Sequence, residues 1–300
     1  MNFKKVIISL SVIACVLFLI DFVLGKVCDA ILFNSSNKTT QYGKINYCML
    51  HAQADVIIVG SSRANYHYHA PMMGDSLGLS VYNAGMDGRG LSYHSCIIRA
   101  ICNRVTPQII VMELFYDELN GDLNDRVSIL RPYFYKDEFA GQTITQIDPI
   151  EQYKCKSAMF RYNSIIPRFV ELYTNNSDSL MGYTPLADNH KGRDVNIEVY
   201  NTPTKIDSTS EKIFVDIIKF VKSRGIKLVI TVSPELRKYE YPSPLVELCE
   251  KYGVFFLDNT NLPELVAEKS YFNDVVHLNM KGAEVYTKCF IHQLQNLNLK

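Results

Sequence analysis

Hydrophobic positions fall into one long run near the start of the chain and five short runs further on. The long run extends from Val6 to Leu24, broken only by Ser9, Ser11 and Asp21, and Lys4 and Lys5 precede it. At about 1.5 Å per residue it nearly spans a hydrocarbon core of about 30 Å, so it reads as a transmembrane helix. Asp21 lies near its far end, where a charge reaches the interface. The lysines should stay cytoplasmic, which puts the rest of the chain on the other side of the membrane. A cleaved signal peptide is the rival reading, but no small-x-small site follows the run, and Gly25-Lys26-Val27 is a poor one.

The five short runs are 54–59, 80–84, 108–114, 227–232 and 254–257. Each is mostly continuous rather than alternating, the mark of strands buried on both faces, as in a parallel sheet. Helical patterns fall between them: Leu91–Asn103, Ser210–Ser223 with Arg224-Gly225 as a stop, Pro244–Tyr252 ending at Gly253, a shorter Leu262–Lys269, and Met280–Leu294. This alternation predicts a three-layer α/β/α sandwich around a mostly parallel five-stranded sheet, preceded by the transmembrane helix. The expected organisation is an anchor over 1–25, a juxtamembrane linker over 26–50 and one catalytic domain over 51–300. Within that domain, residues 120 to about 205 break the rhythm, rich in Tyr, Asn, Asp and Pro. They read as an insertion with some helix near 151–173, either a lid over the carboxyl ends of the strands or surface decoration.

Composition narrows the function classes. Lys plus Arg (31) balance Asp plus Glu (31), and no basic face stands out, so nucleic acid is not an expected partner. The 8 cysteines include no C-x-x-C pair. That disfavours a zinc ribbon or a redox motif and leaves them as small buried hydrophobes or as pairs in an oxidising compartment. His67-Tyr68-His69 has the spacing of metal ligands without an evident third, and reads as a surface or pocket-rim segment. No dinucleotide or Walker loop is present. Neither metal nor organic cofactor is expected.

Candidate chemistry sits at the ends of the runs. After the first comes Gly60-Ser61-Ser62-Arg63, where Ser62 occupies the third place of a Gly-x-Ser turn. A serine there is a nucleophile with backbone N–H groups nearby, or simply a helix cap, and Ser61 is its neighbouring alternative. Near the far end stands Asp274-Val275-Val276-His277, whose spacing lets a carboxylate reach the imidazole Nδ1 and turn Nε2 toward a serine as base. A turn-capping aspartate beside a surface histidine is the plainer alternative. Asn83-Ala84-Gly85 ends the second run, and the glycine N–H there is a candidate oxyanion donor. Arg63 either orients a substrate or pairs with a carboxylate.

Taken together these segments resemble the SGNH (GDSL-like) hydrolases. Gly60-Ser61-Ser62-Arg63 is similar to the first block of that family, Asn83-Ala84-Gly85 to the second, and Asp274-x-x-His277-Leu278-Asn279 with Gly282-Ala283 to the fifth. The resemblance implies a flavodoxin-like fold, a catalytic set of Ser62, His277 and Asp274, and an oxyanion hole formed by the Ser62 and Gly85 N–H groups. The Gly-x-Asn-Asp of the third block is missing after the third run, where Glu113-Leu114-Phe115-Tyr116 stands instead. Asn120 is the nearest substitute, and with Arg63 and Asn83 it completes an expected substrate rim. That departure points toward the membrane-anchored branch. The implied function is an acyl esterase or O-acyltransferase working outside the cytoplasm, in the periplasm or at the cell surface. Its expected substrate is an acylated, chiefly acetylated, cell-surface glycan, and its expected partner a membrane acyl-donor protein. The alternative is a catalytically silent, glycan-binding or envelope-scaffold member.

Overall fold

The computed structural model describes residues 3–121, 126–173, 179–187, 197–201 and 205–297. Among the described residues seven strands form: β1 (Val56–Gly60), β2 (Val81–Asn83), β3 (Ile109–Glu113), β4 (Glu198–Tyr200), β5 (Lys227–Val232), β6 (Arg237–Tyr239) and β7 (Phe255–Asp258). Five of them make one sheet in the order β2-β1-β3-β5-β7, every neighbouring pair parallel. This is the doubly wound order of flavodoxin-like folds, whose crevice opens at the carboxyl ends of the strands between the first and third. β4 and β6 pair separately as a two-stranded parallel ribbon.

The continuous apolar runs become strands because helices cover both faces. Val56, Ile58, Ile109, Val111 and Val229 share a buried cluster with Met73, Tyr286 and Phe290. The alternate positions Ile57, Val59, Ile110, Met112 and Ile230 are buried too, and strand alternation puts them on the opposite face. Each such side chain contributes about 1.5–3 kcal/mol by leaving water.

Several helices begin on side-chain caps. Asp207 accepts from Ser210 N–H, Ser243 from Leu245 N–H, and Asn279 from Gly282 N–H. A helix after the serine turn is among those the sequence expectation lacks. Ala70–Leu77 has Pro in its first turn, and the His69 ring accepts from Met72 N–H at 3.2 Å.

The chain divides into two compact units, one of residues 1–47 and 127–177, the other of 48–126 and 178–300. In the first, a helix runs from Phe3 to Phe33, long and apolar enough to cross a membrane. Residues 26–50, expected as a linker, are mostly helical instead, with a second helix over Gln41–Leu50. The polar loop 34–40 survives between the two helices, and Asn37 is buried where it orders its own turn by accepting from Thr39 and Thr40 N–H. The expected insertion is divided. Residues 127–173 pack with the N-terminal helix inside the first unit. Residues 179–187 belong to the second unit and run along the edge of β2, where Met181 C=O accepts from Asn83 N–H at 2.9 Å.

Candidate active site

The turn after β1 is shaped by close packing. A Cβ on Gly60 would come within 2.5 Å of the Glu113 carbonyl oxygen, so only glycine lets β1 end this close to β3. Ser61 and Ser62 follow, and Ser62 is the first residue of the short helix Ser62–His67. The Ser62 N–H has no hydrogen-bond partner among the described residues.

The opposite wall is a self-contained turn. Asp274 Oδ1 accepts the N–H groups of Val276 and His277, each at 2.9 Å. Its Oδ2 lies 2.8 Å from His277 Nδ1. A Phe272–Leu278 bridge closes the base of this turn, and Asn279 starts the closing helix Met280–Asn296. With Nδ1–H donating to the carboxylate, Nε2 is left as an acceptor, and Ser62 Oγ stands 2.7 Å from it. Ser62, His277 and Asp274 are thus joined in one hydrogen-bonded line, although 215 residues separate the serine from the histidine. Burial pushes the Asp274 carboxyl up, but the imidazole and the two backbone N–H groups outweigh it and hold it below the usual carboxylate range.

A second polar line runs beneath this one, fully buried. The Leu278 N–H donates to His67 Nε2 at 2.9 Å, which leaves Nδ1–H to donate to Ser233 Oγ at 2.7 Å. Ser233 passes its own O–H to Glu113 Oε1 at 2.9 Å. The same carboxylate pairs with Arg63 Nε at 3.1 Å and accepts from the Tyr68 hydroxyl. Arg63 reaches on to Glu235 at 3.4 Å and lies over the Phe115 ring. These contacts tie the turn after β1, the ends of β3 and β5 and the His277 loop to one another. Burial, with Arg63 and His277 nearby, holds the His67 imidazole well below its ordinary range, so it stays neutral.

Several expectations are corrected here. Arg63 is not at a rim: it is fully buried, because Glu113 and Glu235 supply the counter-charges that its burial requires. Asn83 is equally buried, and its amide clamps the Ala64 and Tyr68 carbonyls at 2.7 and 3.1 Å. The Gly85 N–H donates to Asn83 Oδ1 at 2.9 Å, a local Asx turn, and is not free as it stands. Gly85 serves close approach instead, since a Cβ there would meet Asn65 N at 2.5 Å. Asn120 is exposed on a short 3-10 turn and has no bond to Ser62, Asp274 or His277. His67 and His69 do not form a rim pair, one lying in the buried line and the other capping a helix.

Sequence reasoning passed over His67, Glu113 and Ser233 as structural partners. The available signal was a charge at each end of the chemistry, Arg63 after the serine and Glu113 closing an apolar strand. It also passed over Tyr66, whose ring stands edge-on to His277 at 5.6 Å between centroids while its hydroxyl donates to Asp87. Among the described residues no group of three or more His, Cys, Asp or Glu is placed to hold a metal ion. None of the eight cysteines is in a disulfide; burial pushes the Cys249 thiol up to about 12, which leaves it inert.

No protein-family model matches the chain, and no curated protein matches it. Among solved structures, one from Bacteroides fragilis, provisionally described as an acylhydrolase, is similar over 82% of this chain and 88% of its own. The two share 13% identity and a TM-score of 0.40. A likeness of that degree bears on neither activity nor site.

Proposed function

We propose that this chain is a serine-dependent acyl esterase or O-acyltransferase of SGNH type, with Ser62 as nucleophile, His277 as base and Asp274 as the orienting carboxylate. The observation that carries this reading is the 2.7 Å contact between Ser62 Oγ and His277 Nε2, with Asp274 behind the ring. Ser62 Oγ attacks the ester carbonyl carbon while its proton passes to His277 Nε2. The carbonyl oxygen takes up negative charge and is met by the unpaired Ser62 N–H. The Gly85 N–H joins it by exchanging its bond to Asn83 Oδ1. Collapse of this intermediate expels the alcohol, which leaves with the proton from His277. Water or a sugar hydroxyl then attacks the acyl-serine, giving its proton to His277, and release returns that proton to Ser62.

The resemblance of the three sequence blocks supports an acylated, chiefly acetylated, cell-surface glycan as substrate and a membrane acyl-donor protein as partner. The apolar N-terminal helix and the lysines before it support an anchored enzyme with its site outside the cytoplasm.

Ser62→Ala and His277→Ala should each lower aryl acetate hydrolysis by at least about 10³-fold with the fold intact by circular dichroism. A fluorophosphonate probe should label the parent protein and not Ser62→Ala. An unlabelled parent would favour the silent, glycan-binding alternative, and full activity in Ser62→Ala would remove this nucleophile.

A further inference from the structure

The first unit carries a feature that the proposed chemistry does not use. Asp21, the one acid inside the apolar N-terminal run, is not left bare. It accepts from Ser157 Oγ at 2.7 Å and from the Ala158 and Met159 N–H groups at 2.8 Å each. Gly25, one turn further on, packs so closely on Ala158 that a Cβ would come within 2.7 Å of that side chain. The helix is therefore bare before Asp21 and docked on protein after it. From Phe3 to Asp21 the bare part measures about 27 Å, close to the thickness of a hydrocarbon core. If this helix spans, the bilayer surface lies at Asp21; Ser157, Ala158 and Met159, bonded to it, lie at that surface, and residues 150–156 lead into them.

Their composition fits such a place. Ile150, Tyr153 and Met159 are 61%, 63% and 54% exposed. Lys156 lies over the Tyr153 ring at 5.4 Å and has no acidic partner among the described residues. A ring with a polar tip, a lysine that extends to phosphates and two apolar side chains are what the headgroup layer accepts. We propose that Ile150, Tyr153, Lys156 and Met159 form a foot that seats the first unit on the phospholipid interface beside its own spanning helix. The foot thereby fixes the height of the unit above the bilayer. This rests on the membrane-spanning reading of the N-terminal helix.

The same segment supplies its own contrast. Tyr173 is 73% exposed, but it follows Glu171 and Leu172, whose carbonyls are held by Asn37 and Ser35 beyond the other end of the helix. That is about 20 Å further along the axis from Asp21. The chain contains no tryptophan, so single tryptophans report position directly. The full chain is reconstituted into phosphatidylcholine vesicles whose acyl chains are brominated close to the glycerol, with one variant each of Phe18→Trp, Tyr153→Trp, Met159→Trp and Tyr173→Trp. Quenching is expected at Phe18→Trp, and at Tyr153→Trp and Met159→Trp at least about twofold above Tyr173→Trp, as for side chains at the headgroup boundary. Tyr153→Trp and Met159→Trp quenched no more than Tyr173→Trp, with Phe18→Trp quenched, would overturn the foot alone. An unquenched Phe18→Trp would overturn the spanning helix and the foot with it.

Discussion

Asp274 meets three N–H groups with two oxygens. Oδ1 holds the turn through Val276 and His277, while the imidazole Nδ1 lies 2.8 Å from Oδ2 and 3.0 Å from Oδ1. Asp274→Asn can keep the turn-holding oxygen and present an amide NH₂ to Nδ1. The amide NH₂ at the nearer, 2.8 Å position favours the proton on Nε2, the wrong side for accepting from Ser62. Aryl acetate turnover should fall by about 10²–10⁴-fold, with thermal stability near that of the parent. Equal turnover would mean that the carboxylate does not set the tautomer. The Asp-x-x-His spacing was legible in the sequence because its partners lie within one turn of chain. The role of Asn83 was not, because its partners at Ala64 and Tyr68 come from another element.

At the scale of elements, strand ends are joined by charges that never meet water. Arg63 follows β1, Glu113 ends β3 and Glu235 lies just past β5. Arg63→Ala leaves buried Glu113 without its cation and Glu235 with Arg237 alone at 3.7 Å, so it should cost about 3–5 kcal/mol, read as a lowered urea midpoint. A loss below about 1 kcal/mol would show the pairing to be dispensable, as it is at a solvent-exposed rim. The five sheet strands were readable because continuous apolar runs have one use in a covered parallel sheet. The β4–β6 ribbon was not: β4 is mostly exposed and shows no apolar pattern. It is held by the Arg237–Glu198 pair at 3.3 Å and by the Tyr200 and Tyr239 rings.

For the whole molecule, the buried neutral His67 links stability to pH. Its folded pKa lies well below the unfolded value of about 6.5. The unfolded chain therefore binds the extra proton first as pH falls. The stability this residue contributes is full above about pH 6.5 and is lost progressively below it. Asp274, held below 3.8, adds its own loss only in a lower window, as pH falls through the carboxylate range. The urea midpoint should drop between about pH 7.5 and about pH 5.5, and His67→Gln should flatten that drop. An equal slope in both proteins would remove His67 as its source.

Sequence alone determined what depends on neighbouring residues and on transfer from water. That covers the run of a helix able to span a membrane, the five buried strands, the glycine turn before Ser62 and the carboxylate–imidazole pair. Tertiary structure alone decided what depends on parts brought together from far along the chain. It set Ser62 Oγ against His277 Nε2 and buried Arg63 between two acids. It also tied the Gly85 N–H to Asn83 and carried residues 127–173 into the unit of the N-terminal helix rather than leaving them as one insertion in the unit that holds the sheet. The physical reason is that apolar patterning fixes which side of an element faces inward, whereas the partner of a buried polar group is fixed by packing.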